Sequence, residues 1–334
     1  MLIPGFHVLA ALRPRVCLPP IWQEAVGLVA LAGSGVDHAT SLPRRGPRGP
    51  VVLVPGLLAG DALFSRLHAY LQNAGHDVHG AAIACNVDCS EVAARRLLER
   101  VAEVSERYGE PVTLVGHSRG GLLARVVSQR RPDLVAGVVT LGSPYRDQLA
   151  VHPLLWAQIM AVAALGSIGV PGLLNVGCAI GPCCEAFRRD LAAPLPAGVA
   201  TVSVFSRRDG VVDWRACIDE HADNVEVRAT HCGMLFDPGT CAEVADAAAR
   251  FAQAASVEQS QLGAGEDLAP GTDATHALAQ SDGCRVAGRP PCARRSSPPW
   301  GAPGRRRRAL RAPDHPGMRG SRRDRCRSGA ASCT

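Results

Sequence analysis

From residue 51 the chain alternates short, wholly apolar runs with longer segments whose apolar residues recur every three to four positions, and this restricts its fold more than any other feature. The run "VVLV" (51–54) has no polar face. A strand of that kind has to be covered on both sides, as in a parallel sheet. The next segment, "DALFSRLHAYLQNAG", places Leu63, Phe64, Leu67, Tyr70, Leu71 and Ala74 on one helical face, with Asp61 expected as its N-cap and Gly75 as its end. The cycle returns with strand "HDVHGAAI" and helix "SEVAARRLLERVAEVSERYG", then strand "PVTLV", helix "SRGGLLARVVSQRR" and strand "LVAGVVTL". Further on, "VATVSVFS" and "NVEVRA" read as strands and "CAEVADAAARFAQA" as a helix. The expected fold class is α/β, a mostly parallel sheet with helices on both faces. In such sheets function collects at the carboxyl ends of the strands.

The pattern divides the chain. Residues 1–50 carry one helical segment, "IWQEAVGLVALAG", closed by the linker "SLPRRGPRGP". Residues 51–255 form the expected domain. Within it, 146–196 breaks the alternation with a strongly apolar, loop-interrupted stretch, which reads either as a helical cap over the site or as an ordinary buried helical pair. Residues 256–334 are rich in Pro, Gly, Arg and Ser without apolar periodicity, and a disordered tail is expected there. The bias of that tail resembles a GC-rich gene read in a shifted frame.

Charge excludes one class of partner. The net charge is +6, yet residues 256–334 alone hold fourteen Arg against seven acidic side chains, so the domain itself is close to neutral. No phosphate-binding surface is expected on it, and no nucleic-acid partner. All basic residues are Arg. The start "MLIPGFHVLAALRPR" has no basic n-region and no clear cleavage site, and no window approaches the ~18 apolar residues of a membrane span. The expectation is a cytoplasmic chain without a transmembrane helix. The thirteen Cys are scattered and odd in number. Cys217 and Cys232 flank two loops of interest but are expected as thiols, and Cys178, Cys183 and Cys184 lack a zinc-like spacing with His, so no metal site is expected.

The stretch "LVGHSRGG" fits G-x-S-x-G, with an apolar strand before it and a helix after it. As a pentapeptide it is compatible with a nucleophile on a strained turn and with a plain glycine-rich bend. A serine hydroxyl needs a base to attack at neutral pH, and the base needs a group to orient it. The loop after "VATVSVFS" offers Asp209, first after the strand and before a glycine, and Asp213 as the fallback. The loop after "NVEVRA" offers His231, set among small residues. His117 adjoins Ser118, and side chains adjacent on a tight turn diverge, which gives His117 a lining role. Donors for an oxyanion are expected from the backbone N–H groups of Arg119, after the serine, and of Leu57, in the loop "PGLLAGD".

Taken together, "VVLVPGLLAGD", "LVGHSRGG", "VVTLGSPY", "VFSRRDGVVDW" and "VEVRATHCGM" resemble the α/β-hydrolase superfamily, specifically its bacterial lipase and esterase-like members, over roughly residues 51–254. The resemblance implies serine-dependent hydrolysis of carboxylic esters. It casts Ser118 as nucleophile, His231 as general base and acid, Asp209 as the carboxylate orienting the imidazole, and the Leu57 and Arg119 amides as the oxyanion hole. No cofactor is implied, and the partner is a small ester or lipid with an apolar acyl group. An acyltransferase or thioesterase would use the same residues, and a binding protein on a hydrolase scaffold would not need them all. Two departures stand out: Pro55 sits where many relatives carry His, and the first 50 residues lack the usual leading antiparallel strands.

Overall fold

A computed structural model describes residues 21–24 and 48–266, all within the first of two units, Met1–Gly271 and Thr272–Thr334. The greater part of the N-terminal segment and the tail beyond 266 lie outside the described residues, and with them the expectations of a helix over the whole of "IWQEAVGLVALAG" and of disorder at 267–334.

Among the described residues six strands form one wholly parallel sheet in the order β2-β1-β3-β4-β5-β6. These are β1 (Pro50–Val54), β2 (Asp77–Gly80), β3 (Val112–His117), β4 (Val135–Leu141), β5 (Ala200–Phe205) and β6 (Asp223–Glu226). Helices α1 (Ser65–Ala74), α2 (Ser90–Tyr108), α3 (Arg119–Arg130), α4 (Pro153–Ser167), α5 (Val176–Ile180), α6 (Glu185–Ala192) and α7 (Pro238–Glu266) connect and cover it. The α/β class with helices on both faces is what the structure has.

The reason β1 is apolar throughout is visible in its packing. Val51 and Leu53 enter the layer beneath α1 and α7, with Leu67, Leu71, Val244 and Phe251. Val52 and Val54 enter the opposite layer, with Leu97 and Val101 of α2 and Leu123 and Val127 of α3. Side chains alternate faces along a strand, so a strand covered twice has no position left for a polar residue. Each of these side chains, fully withdrawn from water, contributes about 1.5–3 kcal/mol of transfer free energy.

Two expected details differ. Asp61 does not cap α1: a short 3-10 turn (Asp61–Phe64) precedes the helix, whose N-cap is Phe64. The Asp61 carboxylate instead accepts from the Ile83 amide at 3.2 Å, tying that turn to the loop after β2. The predicted helix end is found: Gly75 takes φ 100°, a left-handed conformation in which glycine carries no steric cost. The last helix also runs on to Glu266, past residue 255, where the apolar pattern fades.

Helices α4, α5 and α6 lie between β4 and β5, in the stretch singled out at 146–196. In α4 only Ala163 is buried, while Leu154, Leu165 and, just beyond it, Ile168 are exposed. The inner side of α4, through Leu155, Trp156 and Ile159, rests on Val151, Phe205 and Val212. Helix α6 is fixed more firmly, since Phe187 and Leu191 enter the core beside α3. A buried ion pair locks this side: Arg125 donates to Asp219 at 2.5 Å and its guanidinium lies 4.6 Å from the Tyr145 ring centroid. Removing one partner of so buried a pair typically costs about 3–5 kcal/mol, because the other charge is left uncompensated.

Candidate functional site

The carboxyl ends of β1, β3, β4 and β5 and the loop after β6 converge on one place. Ser118 stands between β3 and α3 with φ 52° and ψ −122°. A non-glycine residue there is strained by roughly 1–3 kcal/mol, and the surroundings hold it in place. Its N–H donates to Leu141 O at 2.8 Å and its carbonyl accepts from Gly121 N at 3.0 Å. The helix can approach so closely because of Gly120, where an added Cβ would lie 2.0 Å from Val54 O. The sharp turn thus follows from the glycine spacing read in the sequence.

Asp209, on the loop after β5, is buried and fully engaged. Its Oδ1 accepts from the amides of Val211 (2.8 Å) and Val212 (2.7 Å), and its Oδ2 stands 2.6 Å from His231 Nδ1. That short contact makes Nδ1–H the donor and leaves Nε2 as the nitrogen free to take a proton. Asp213, the fallback acid, is used elsewhere: its carboxylate accepts from Arg215 N at 3.0 Å and caps a 3-10 turn. Gly142, directly after β4, makes room for the pair, since a Cβ there would come within 3.0 Å of His231 Nδ1 and 3.1 Å of Asp209 Oδ2.

The imidazole of His231 sits 4.6 Å, centroid to centroid, from that of His117. His117 Nε2 donates to His231 O at 3.1 Å, and its Nδ1 has no partner among the described residues. Burial, with the neighbouring His231 charge, pulls the His117 pKa down to about 3, so that ring stays neutral. His231 behaves oppositely. Burial works against its charged form, but the Asp209 charge, the Asp209 hydrogen bond and the charge of Glu24 outweigh it and hold the imidazole above its ordinary value. Two neighbouring histidines therefore have opposite protonation tendencies. No hydrogen bond joins Ser118 Oγ to His231 among the described residues; such contacts commonly tighten only when substrate binds.

Leu57 follows β1 and Arg119 opens α3, and among the described residues neither backbone N–H has a recorded acceptor. The loop carrying Leu57 is shaped by Asn86, a residue that pattern reading passed over. Asn86 is buried, its Nδ2 donates to Pro55 O at 2.7 Å, its N–H donates to Ala59 O at 2.8 Å, and its carbonyl accepts from Leu58 N at 3.2 Å. The Arg119 side chain in turn donates to Asn86 Oδ1 and, at 2.5 Å, to Asp88 O. Asn86→Ala strips these side-chain bonds and leaves the Pro55 carbonyl and the guanidinium short of partners. At roughly 1–3 kcal/mol per buried group left unpaired, kcat is expected to fall on the order of 10- to 100-fold with little change in KM. Steady-state kinetics on a chromogenic ester checks this; an unchanged kcat would remove Asn86 from the site.

Glu24 was also invisible in the pattern. It is buried, and its carboxylate bridges the two loops: Oε1 accepts from Gly210 N and His231 N, each at 2.9 Å, and Oε2 from Cys232 N at 3.0 Å. Beside it the Cys232 thiol is pushed up to about 12 by burial and the charges of Glu24 and Asp209, so it stays protonated. Cys217 and Cys232 are both free thiols.

A cavity of about 390 Å³ opens from Ser118 beneath the inserted helices. Leu57, Leu122, Val151, Leu155, Ile159 and Phe187 make its walls largely apolar. No helix among the described residues is long and apolar enough to cross a membrane.

Residues 49–165 match the family model described as the alpha/beta hydrolase fold, which spans β1 to α4 and includes Ser118. Over these residues the chain is similar to the α/β-hydrolase superfamily. A triacylglycerol lipase of Pseudarthrobacter phenanthrenivorans is 38% identical to it over 109 residues, 30% of this chain and 34% of that protein. One of Burkholderia plantarii is also 38% identical over 109 residues, covering 30% of each chain. The chain therefore spans about a third of the length of the curated relatives it matches. Among solved structures, a Bacillus licheniformis lipase in mature form covers 61% of this chain and 91% of its own, at 17% identity and a TM-score of 0.44.

Proposed function

We propose that this chain is an α/β-hydrolase that cleaves carboxylic esters of apolar acyl groups by a Ser118–His231–Asp209 mechanism. The observation that carries the reading is the 2.6 Å bond between the buried Asp209 and His231 at the same sheet end as the strained Ser118. Ser118 Oγ attacks the ester carbonyl as its proton passes to His231 Nε2, and the oxyanion is held by the Leu57 and Arg119 amides. Collapse expels the alcohol, which takes the proton from His231. A water then gives its proton to His231 and attacks the acyl-enzyme, and the acid leaves as Ser118 recovers the proton. The raised basicity of His231 suits both transfers. The apolar cavity beside Ser118 supports an aliphatic acyl chain over a sugar or charged group.

The test is labelling of the full chain with an alkyl fluorophosphonate followed by peptide mapping, alongside hydrolysis of p-nitrophenyl esters of increasing acyl length. One phosphonyl group on the Ser118 peptide, with turnover rising with chain length until the cavity is filled, is the expected result. Turnover without label on Ser118, or a preference for acetate over every longer acyl group, would overturn the mechanism or the substrate class respectively.

A further inference from the structure

Four cysteines with no role in ester cleavage meet at one point. Cys89 lies at the N-cap of α2, Cys178 in α5, and Cys183 and Cys184 in the 3-10 turn leading into α6. Their sulfurs all lie within 4.8 Å of one another. The closest separations are 3.3 Å for Cys89–Cys184, 3.7 Å for Cys178–Cys183 and 3.8 Å for Cys183–Cys184. A tetrahedron of thiolates around zinc, with Zn–S of about 2.3 Å, has edges of about 3.8 Å.

We propose that these four cysteines form a structural Zn²⁺ site. Two disulfides would need closeness only within each pair. Convergence of all four sulfurs on a common centre is what a single ion requires. Four soft thiolates in a closed tetrahedral set select zinc or iron over harder divalent ions, and leave no open position for water or substrate. The surroundings suit a charged cluster. The Asn175 amide donates to Cys178 Sγ at 3.3 Å, and the guanidinium of Arg119 reaches Asp88 O and Ser90 Oγ on either side of Cys89, placing a cation against the net negative charge of a four-thiolate centre. Such outer hydrogen bonds and charges orient and stabilise metal thiolates.

Cys178, Cys183 and Cys184 have no metal-like spacing with His in the sequence. The missing ligand is Cys89, brought in from the other side of the nucleophile turn by the fold. The site's position gives it a purpose. Cys178 and its neighbours Phe187 and Arg188 line the acyl cavity together with Ser90, so the ion would pin the inserted helices to the start of α2 and fix the far wall of that cavity. The proposal does not depend on the hydrolytic reading.

The experiment is metal analysis of the full chain produced with added zinc and purified without chelator, paired with Co²⁺ exchange. One zinc per chain and the intense visible bands of tetrahedral cobalt thiolate are expected, with a lower thermal midpoint after chelation. Cys183 is exposed, so Cys183→Ser tests ligation without disturbing the core, and should lose the metal while Cys183→His retains it. Cys85→Ser, outside the cluster, should keep full zinc. Stoichiometric iron would overturn the choice of zinc. A metal-free chain holding either two disulfides or four reactive thiols would overturn the site, and because phosphonate labelling of Ser118 is read separately, that failure is distinguishable from failure of the esterase reading.

Discussion

Ser118→Ala and Asp209→Asn are each expected to lower kcat by about 10⁴-fold or more, whereas Asp213→Asn stays within a few-fold of the parent. The first removes the attacking oxygen. The second keeps the shape but exchanges an acceptor of the His231 Nδ1 proton for an amide that can donate, which favours the wrong tautomer and removes the charge that supports the imidazolium. Both Val211 and Val212 amides still find the Asn carbonyl, so the loop should survive and the loss should appear in kcat rather than in folding. Asp213 is an internal control of like chemistry, since its carboxylate caps a turn instead of facing His231. Measured with a saturating p-nitrophenyl ester, equal losses for the two Asp variants would remove Asp209 from its proposed role, and undiminished turnover by Ser118→Ala would end the serine mechanism.

Replacing Glu24 is the second large effect. Glu24→Ala leaves the amides of Gly210, His231 and Cys232 without their acceptor in a buried place. At roughly 1–3 kcal/mol for each unpaired group, and allowing for non-additivity, stability is expected to drop by about 3–6 kcal/mol, read as a shift in urea midpoint. Glu24→Gln separates charge from shape. The amide oxygen can still serve two of the three donors, so stability should fall much less. The pH profile should nevertheless move. His231 must be neutral to act as base, so kcat/KM rises as pH climbs through its pKa, and Glu24 is one of the charges that hold this pKa up. Losing that charge lowers the pKa and carries the acid limb of kcat/KM to lower pH. An unmoved limb would reduce Glu24 to a packing element.

What could be seen in the sequence was whatever the chain encodes locally. The apolar runs of β1, β3 and β4 are legible because burial on both sheet faces forbids polar residues there, and the turn at Ser118 because glycine must stand where helix and strand backbones nearly touch. Its place after β5 favours Asp209 over Asp213, and Asp209 is the carboxylate bonded to His231. What could not be seen depends on partners distant along the chain. Nothing around Asn86 or Glu24 distinguishes them from surface residues until the loops they hold are in position. Cys89 has no periodic or spacing relation to Cys178. Asp61 looked like a cap because it opens a helical pattern, yet the Ile83 amide, supplied by the next loop, competes for its carboxylate.

The placement of Glu24 bears on how the catalytic unit is delimited. The family match starts at residue 49 and the alternating pattern at 51, so either boundary would be chosen for a minimal fragment. A fragment cut there keeps Ser118, Asp209 and His231 and the described strands of the sheet, and loses the carboxylate that joins the loops carrying the last two. It should behave like Glu24→Ala: recognisable by homology, able to take up a phosphonate slowly, and short-lived in solution. On the proposed function, the working unit would begin upstream of the matched residues, at a side chain that donates no chemistry of its own.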